Sequence, residues 1–377
     1  METKRTICAL ALVILLILPS VAAYGQISFG QPASGSTGVV FTSWKLTPDI
    51  GPEAKITQLW IPMDGYVPLK DNLEARVYLA NGSTNLDVAG TELDISGLSN
   101  LNIQFSQSLN DDQWLISAGI GLPAGKKKLS LSAEKAVLEA LAQSFLDFPM
   151  RRYGEGFGFN LLVGTARQMG EIMLSGGAMY QYLGSYEPYE GVDEYDPGNN
   201  LNINAAAETK RDLITWTASA IFASYQADQN AGQKVFKQGN HLNLILGGRW
   251  SGERSAYGGQ IRYMIRARNS WYEAATETVI QRLKLYGNEF ELSVDAAFKL
   301  NPSWQLRPMA SLRLIEENEL GIGNSHLFTF GASAATNLGD QFGLELGIKY
   351  LSGQAGDGLI DVDLSGLQIT TGLTASF

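Results

Sequence analysis

The last twelve residues, "GLQITTGLTASF", alternate strictly. Leu367, Ile369, Thr371, Leu373, Ala375 and Phe377 fall on one face, and Gln368, Thr370, Gly372, Thr374 and Ser376 on the other. A period of two predicts a strand with one apolar and one polar face. It also predicts that the chain end is held in a sheet rather than left to fray. The same alternation recurs upstream, as in Phe290, Leu292, Val294, Ala296 and Phe298 against Glu289, Glu291 and Asp295. Strands are predicted near 73–82, 95–109, 113–122, 155–167, 171–186, 199–210, 212–227, 239–251, 256–269, 287–301, 304–317, 325–339, 342–353 and 361–377. That is about fourteen, each near the length that crosses a bilayer when tilted.

The connections sort themselves. Short ones at 110–112, 168–170, 211, 252–255, 302–303 and 340–341 take turns with longer ones at 83–94, 123–154, 187–198, 228–238, 270–286, 318–324 and 354–360. A β-sandwich has no reason to do this, whereas a transmembrane barrel has short turns on one rim and long loops on the other. The polar faces also carry charge. Arg249, Arg262, Arg266, Arg268, Arg307, Arg313 and Lys349 would share an interior with Glu289, Glu291, Asp295 and Glu345. Unpaired charges are costly in a dry core, so a water-containing lumen with cross-strand pairs is predicted. Within it, Arg262, Arg266, Arg268, Arg307 and Arg313 are expected to pair with Glu289, Glu291, Asp295 or Glu345.

Composition narrows the class further. Charged residues make up 18% of the 377, and glycines number 41. Lys4 and Arg5, an apolar run from Ile7 to Leu18, Pro19 and Val21-Ala22-Ala23 read as a secretory signal spanning 1–23. The run is too short for a membrane span, which takes about 20 residues. Cys8, the sole cysteine, would leave with that signal, so no disulfide is expected.

The segment 24–71 contains Pro32, Pro48, Pro52, Pro62 and Pro68, a density that argues against a central strand. Val39, Phe41, Trp44, Ile56, Leu59, Trp60 and Ile61 nevertheless need burial. The segment is therefore expected to act as a plug or to lie in the periplasm, with residues around Trp44 to Ile61 inside the lumen and the barrel itself covering 72–377. In the longest gap, "SLSAEKAVLEALAQSFLDFP" places Ala133, Val137, Ala140, Leu141, Ser144 and Phe148 at helical spacing, stopped by Pro149. A short amphipathic helix on or inside the barrel mouth is predicted, preceded by Lys126-Lys127-Lys128.

The signal, the alternation and the terminal Phe377 resemble outer-membrane β-barrels, in which a C-terminal aromatic is read by the barrel-assembly machinery. Phe377 is then the residue that ends the barrel-closing strand. "GLPAGKKKLS" followed by a helix, together with "YGEGFGFNL", is similar to passages in the long-chain fatty acid and aromatic hydrocarbon transporter family. That resemblance implies a fourteen-stranded barrel with an N-terminal hatch. An Asn-Pro-Ala near the mature N-terminus, usual among the fatty-acid members, is missing.

Candidate chemistry changes the picture little. His241 and His326 have no matching nucleophile motif, so no enzyme, catalytic residue or cofactor is expected. Glu187, Glu190, Asp193, Glu194 and Asp196 form an acidic loop without EF-hand spacing, so no metal site is assigned to it. A net charge of −10 disfavours nucleic acid. Expected partners are outer-membrane lipid, the assembly machinery and a small apolar ligand. Met173, Met179 and Leu183 fall on the polar face of their strand and are candidates for an apolar path. The expected function is an outer-membrane channel for small hydrophobic molecules. The alternatives are a general porin, or a structural or adhesive barrel with a closed lumen.

Overall fold

Two strands that the prolines argued against begin the described chain, β1 (Ser34–Pro48) and β2 (Ala54–Lys70). The structure is a computed structural model. It describes residues 29, 31–126, 128–131, 133–192, 194–320, 323–356 and 360–377; the expected signal at 1–23 lies outside them. β1 pairs with β2 only from Val40↔Trp60 to Leu46↔Ala54. Pro62 and Pro68 come after Trp60, where the edge of β2 facing β1 carries no ladder and no N–H is required of it. Pro48 is the last residue of its strand and Pro52 lies in the following turn. The N-terminal plug is thus corrected: Ser34–Lys70 is barrel wall, and the barrel starts well before residue 72.

β3 (Leu73–Val88) follows, then β4 (Thr91–Leu98), β5 (Leu101–Leu109) and β6 (Trp114–Leu122). The loop expected at 83–94 is instead a tight hairpin. Ala89 and Gly90 have φ of 52° and 83°, the paired positive values that a two-residue hairpin turn requires and glycine tolerates best. β4 and β5 pair with successive parts of β3, so together they form one wall strand broken at Ser99 and Asn100. A helix, α1 (Glu134–Leu141), and a 3-10 turn at Ser144–Leu146 then precede β7 (Gly158–Met169) and β8 (Ile172–Leu183).

After the two-residue β9 (Tyr195–Asp196) the wall resumes with β10 (Asn200–Arg211) and β11 (Ile214–Tyr225). Small hairpins, β12 (Ala227–Asn230) with β13 (Gln233–Lys237) and later β16 (Asn269–Glu273) with β17 (Thr278–Leu283), fill two long loops around β14 (His241–Ser251) and β15 (Ser255–Arg266). β18 (Glu289–Lys299), β19 (Trp304–Ile315), β20 (Gly323–Asn337), β21 (Phe342–Gly356) and β22 (Asp361–Ser376) complete the chain. Ladders join each wall strand to the next, and β22 returns to β1. The result is a closed antiparallel barrel of 16 strands. The expected fourteen fell short because β1 and β2 had been read as a plug.

The outer surface explains why this wall suits a bilayer. Phe159, Leu161 and Val163 on β7, Leu244 and Leu246 on β14, and Leu292 and Val294 on β18 are all exposed. They alternate with inward residues at the strand period. Trp114, Trp216, Trp250, Tyr257, Phe298 and Trp304 lie near the short-turn rim, with Tyr257 between Trp250 (5.6 Å) and Phe298 (5.8 Å). This is the aromatic girdle of a membrane interface. Trp271 and Tyr272 belong to a five-stranded sheet of β9, β12, β13, β16 and β17 on the long-loop side.

Candidate functional site

Residues 133–157 turn into the barrel rather than away from it. Val137 and Leu141, one helical turn apart on α1, are buried, as are Leu146, Phe148, Met150 and Tyr153 after it. They pack with Trp44, Ile56 and Trp60, the inward side chains of β1 and β2, and with Leu327, Leu351 and Leu364 on β20 to β22. The residues expected to plug the lumen are therefore wall residues whose side chains receive the element that does enter it.

Three buried polar contacts fix this element. The Trp44 indole Nε1 donates to the Leu146 carbonyl at 2.7 Å. The Gln58 amide donates from Nε2 to the Met150 carbonyl at 2.7 Å and accepts from the Met150 N–H at 3.1 Å, as a neighbouring strand would. Gln58 also donates to Thr84 Oγ1 at 2.9 Å, and Thr84 shares a 2.6 Å bond with the Tyr153 hydroxyl. Where the wall strand breaks, Asn100 takes over the ladder's role, donating to the Gly156 carbonyl and accepting from the Glu155 N–H, both at 3.1 Å. Lys126 and Lys128 pair with Glu134 and Glu187 rather than standing as a free basic run.

A charged cluster occupies another part of the inner wall. On β15, Arg262 and Arg266 alternate with the exposed Ile261 and Ile265. On β18, Glu289 and Glu291 alternate with the exposed Leu292 and Val294. Glu289, 4% exposed, is shared by Arg262, Arg266 at 2.9 Å and Arg313 of β19 at 3.5 Å. Arg262 and Arg313 also hold Glu291. Asp147 of the inward segment comes within 3.7 Å of Arg313 and 3.5 Å of Arg151. A carboxylate carried by the segment thus meets the guanidiniums of the wall.

The other expected pairings differ. Arg268 lies beyond the end of β15 and pairs with Glu319 in a long loop at 2.5 Å. Arg307 donates to Gln305 two residues back on its own strand. Glu345 on β21 faces Ala335 and Gly372 across its ladders, away from the arginines. Asp295 is held at 2.9 Å by Arg249, two strands away. Gly258 stands between them in both ladders, and a Cβ there would come within 2.4 Å of the Asp295 carboxylate. Only a residue without a side chain leaves the bridge room.

Met173, Met179 and Leu183 stand on the face of β8 opposite the exposed Ile172, Leu174 and Tyr180. β8 lies between β7 and β10 in the wall. His241 contacts the Tyr225 hydroxyl at 3.3 Å and His326 the ring of Phe328. Among the described residues no group of three or more His, Cys, Asp or Glu could hold a metal ion; Asp193 of the acidic loop lies outside them.

Two cavities flank Ser99 and Arg152 at the broken strand. One, about 330 Å³, is lined by Trp60, Tyr78, Ala80, Ser99, Phe148, Pro149, Met150, Arg151 and Arg152. The other, about 160 Å³, is more polar and lies among Asn100, Asn102, Asn160, Gln181 and Leu183. Sequence reading missed Gln58, Asp147 and Arg151, and it placed Trp44 in a plug rather than in the wall that holds one. The paired Trp44 and Trp60 in a half-polar segment were the one signal that something packs there.

A closed barrel with an apolar outer belt, an aromatic rim and a charged interior defines a transmembrane β-barrel. No family model matches the chain, and no curated protein sequence does. Among solved structures it is similar to a Pseudomonas aeruginosa FadL homologue, at 8% identity over 92% of this chain and 91% of that one, with a TM-score of 0.46. It is also similar to a variant of the TodX monoaromatic hydrocarbon channel, at 11% identity, 92% and 91% coverage and a TM-score of 0.47. A third is Pseudomonas aeruginosa OccK1 (OpdK), at 10% identity, 92% and 100% coverage and a TM-score of 0.45. Likenesses at this level share a barrel and assign no family.

Proposed function

We propose that the protein is an outer-membrane channel for small solutes with a substantial apolar part. The carrying observation is the segment 133–157, clamped inside the barrel so that Phe148, Pro149 and Met150 roof an aromatic-lined cavity against Trp60 and Tyr78. A purely structural barrel has no use for a cavity of this lining beneath an inward-folded segment, and pockets of mostly apolar wall with a few placed polar groups are the usual form of small-molecule sites. The secretory signal and Phe377 support export and delivery to the outer membrane by the assembly machinery. A general porin is the second reading, favoured by the ion-paired cluster of Arg262, Arg266 and Arg313 with Glu289, Glu291 and Asp147.

The test is reconstitution of the full chain in planar bilayers and liposomes. Replacing 130–150 with a short Gly-Ser linker is expected to raise ion conductance and to abolish preferential flux of toluene-sized apolar solutes over sugars of equal size. Unchanged conductance from a correctly closed barrel refutes the role given to the segment. Equal flux of both solute classes in the native chain favours the porin.

A further inference from the structure

The larger cavity carries a chemical signature of its own. Its apolar lining is Trp60, Tyr78, Ala80, Phe148, Pro149 and Met150, and Arg151 and Arg152 complete it. No carboxylate lines it. Asp64, opposite Tyr78 in the β2–β3 ladder, is not among its lining residues. Asp147 and Glu155 hold the two arginines, but neither is among the residues that line the cavity. Asp147 is also divided between Arg151, at a long 3.5 Å, and Arg313 at 3.7 Å. Arg151 also donates its Nε to the Phe148 carbonyl at 3.3 Å and still retains N–H donors that neither partner uses, since a guanidinium carries five.

We propose that this cavity binds a small aromatic carboxylate, its ring between Trp60 and Phe148 and its carboxylate on Arg151 and Arg152. A planar fork suits a carboxylate bidentately, and the thioether of Met150 adapts to a ring edge. The volume of about 330 Å³ lies at the small end of ligand pockets, roughly 300–1,000 Å³, which selects one ring rather than a long chain. A cation of the same shape meets two guanidiniums, and a neutral isostere leaves them without a new partner. The inference deepens the channel reading and rests on it for the ligand's passage, though not for its binding.

Titration of the purified full-length barrel in detergent with benzoate, benzamide and benzylamine, followed by tryptophan fluorescence and calorimetry, tests it. Benzoate is expected to bind at least tenfold tighter than either analogue. The double variant Arg151→Gln/Arg152→Gln is expected to erase that preference and Arg151→Lys/Arg152→Lys to retain part of it, while Trp60→Phe weakens all three ligands together. Gel mobility of unboiled samples confirms that each variant barrel is closed. Equal binding of benzoate and benzylamine, or an undiminished preference in the glutamine variant, overturns the site. Liposome flux is scored separately. Benzoate preference without solute flux sinks the channel and leaves the site; flux without benzoate preference does the reverse.

Discussion

Gln58→Ala removes the clamp at its centre. Gln58 is fully buried, and its amide satisfies both the N–H and the carbonyl of Met150. Alanine leaves two backbone groups without partners, each costing about 1–3 kcal/mol, and deletes the bond to Thr84 worth about 1 kcal/mol. Water entering the vacated space offsets part of this, leaving roughly 2–4 kcal/mol against the docked segment. The closed wall, whose ladders Gln58 joins only through its backbone, is unaffected. Since every 1.4 kcal/mol is a factor of ten, hydrogen exchange at the Met150 amide is expected to accelerate about 30- to 700-fold. Amides in the β21–β22 ladder should exchange as before. Single-channel records should show added noise and a larger mean conductance. Gln58→Glu, which keeps the acceptor and loses the donor, is expected to fall between. Native protection at Met150 in a folded Gln58→Ala barrel refutes the clamp.

Three further outcomes follow from the same geometry. Glu289→Ala leaves Arg262, Arg266 and Arg313 without their common partner. Breaking a buried pair in this way costs about 3–5 kcal/mol, and the reversal potential in a salt gradient should shift toward that of chloride; an unchanged potential places the cluster off the ion path. Trp44→Phe keeps the ring but orphans the buried Leu146 carbonyl, costing about 1–3 kcal/mol, read as faster exchange across 144–150. In the long loops, burial and the neighbouring Glu155 carboxylate push the Tyr186 hydroxyl up to about 12. Tyr195, half-buried and donating to Asp228 at 2.6 Å, is likewise held above its ordinary value. A raised value means that the folded loops favour the neutral phenol. Their contribution is whole below about pH 10 and is lost as pH rises through about 12. Phenolate absorbance should therefore show a component that titrates late in the native barrel, disappears on denaturation and is reduced in Tyr186→Phe.

The parts legible in the sequence were those with a repeating physical cause. From β7 onward each wall strand carries a lipid-facing apolar row, and that row writes the period of two. Arg262, Glu289 and Glu291 were found because charges at that period on neighbouring strands must meet. Arg268 failed by two residues, since β15 ends at Arg266 and the loop takes Arg268 to Glu319. Asp295 found Arg249 because Gly258 lets a side chain reach past one strand, which no pattern along a single strand reveals. β1 and β2 were hidden by prolines that are harmless only because one edge of β2 lacks a ladder, a tertiary fact. Trp44 and Leu146 lie 102 residues apart, and Gln58 and Met150 lie 92 apart. Nothing local in either stretch announces the other.

The seam between β1 and β22 also governs how the molecule is made. Every other ladder in the wall joins consecutive wall strands and can zip as a local hairpin or short extension. This one unites segments such as Thr42 and Gln368, 326 positions apart. The entropy of drawing so long a chain into a ring is met in one late step. The buried polar bonds that hold 144–153 run to Trp44, Gln58 and Thr84 on the first three strands, so the inner element can dock on a growing open sheet before β19 to β22 pack against it. Closure then shuts it inside, and the order of manufacture becomes part of what places the segment within the wall.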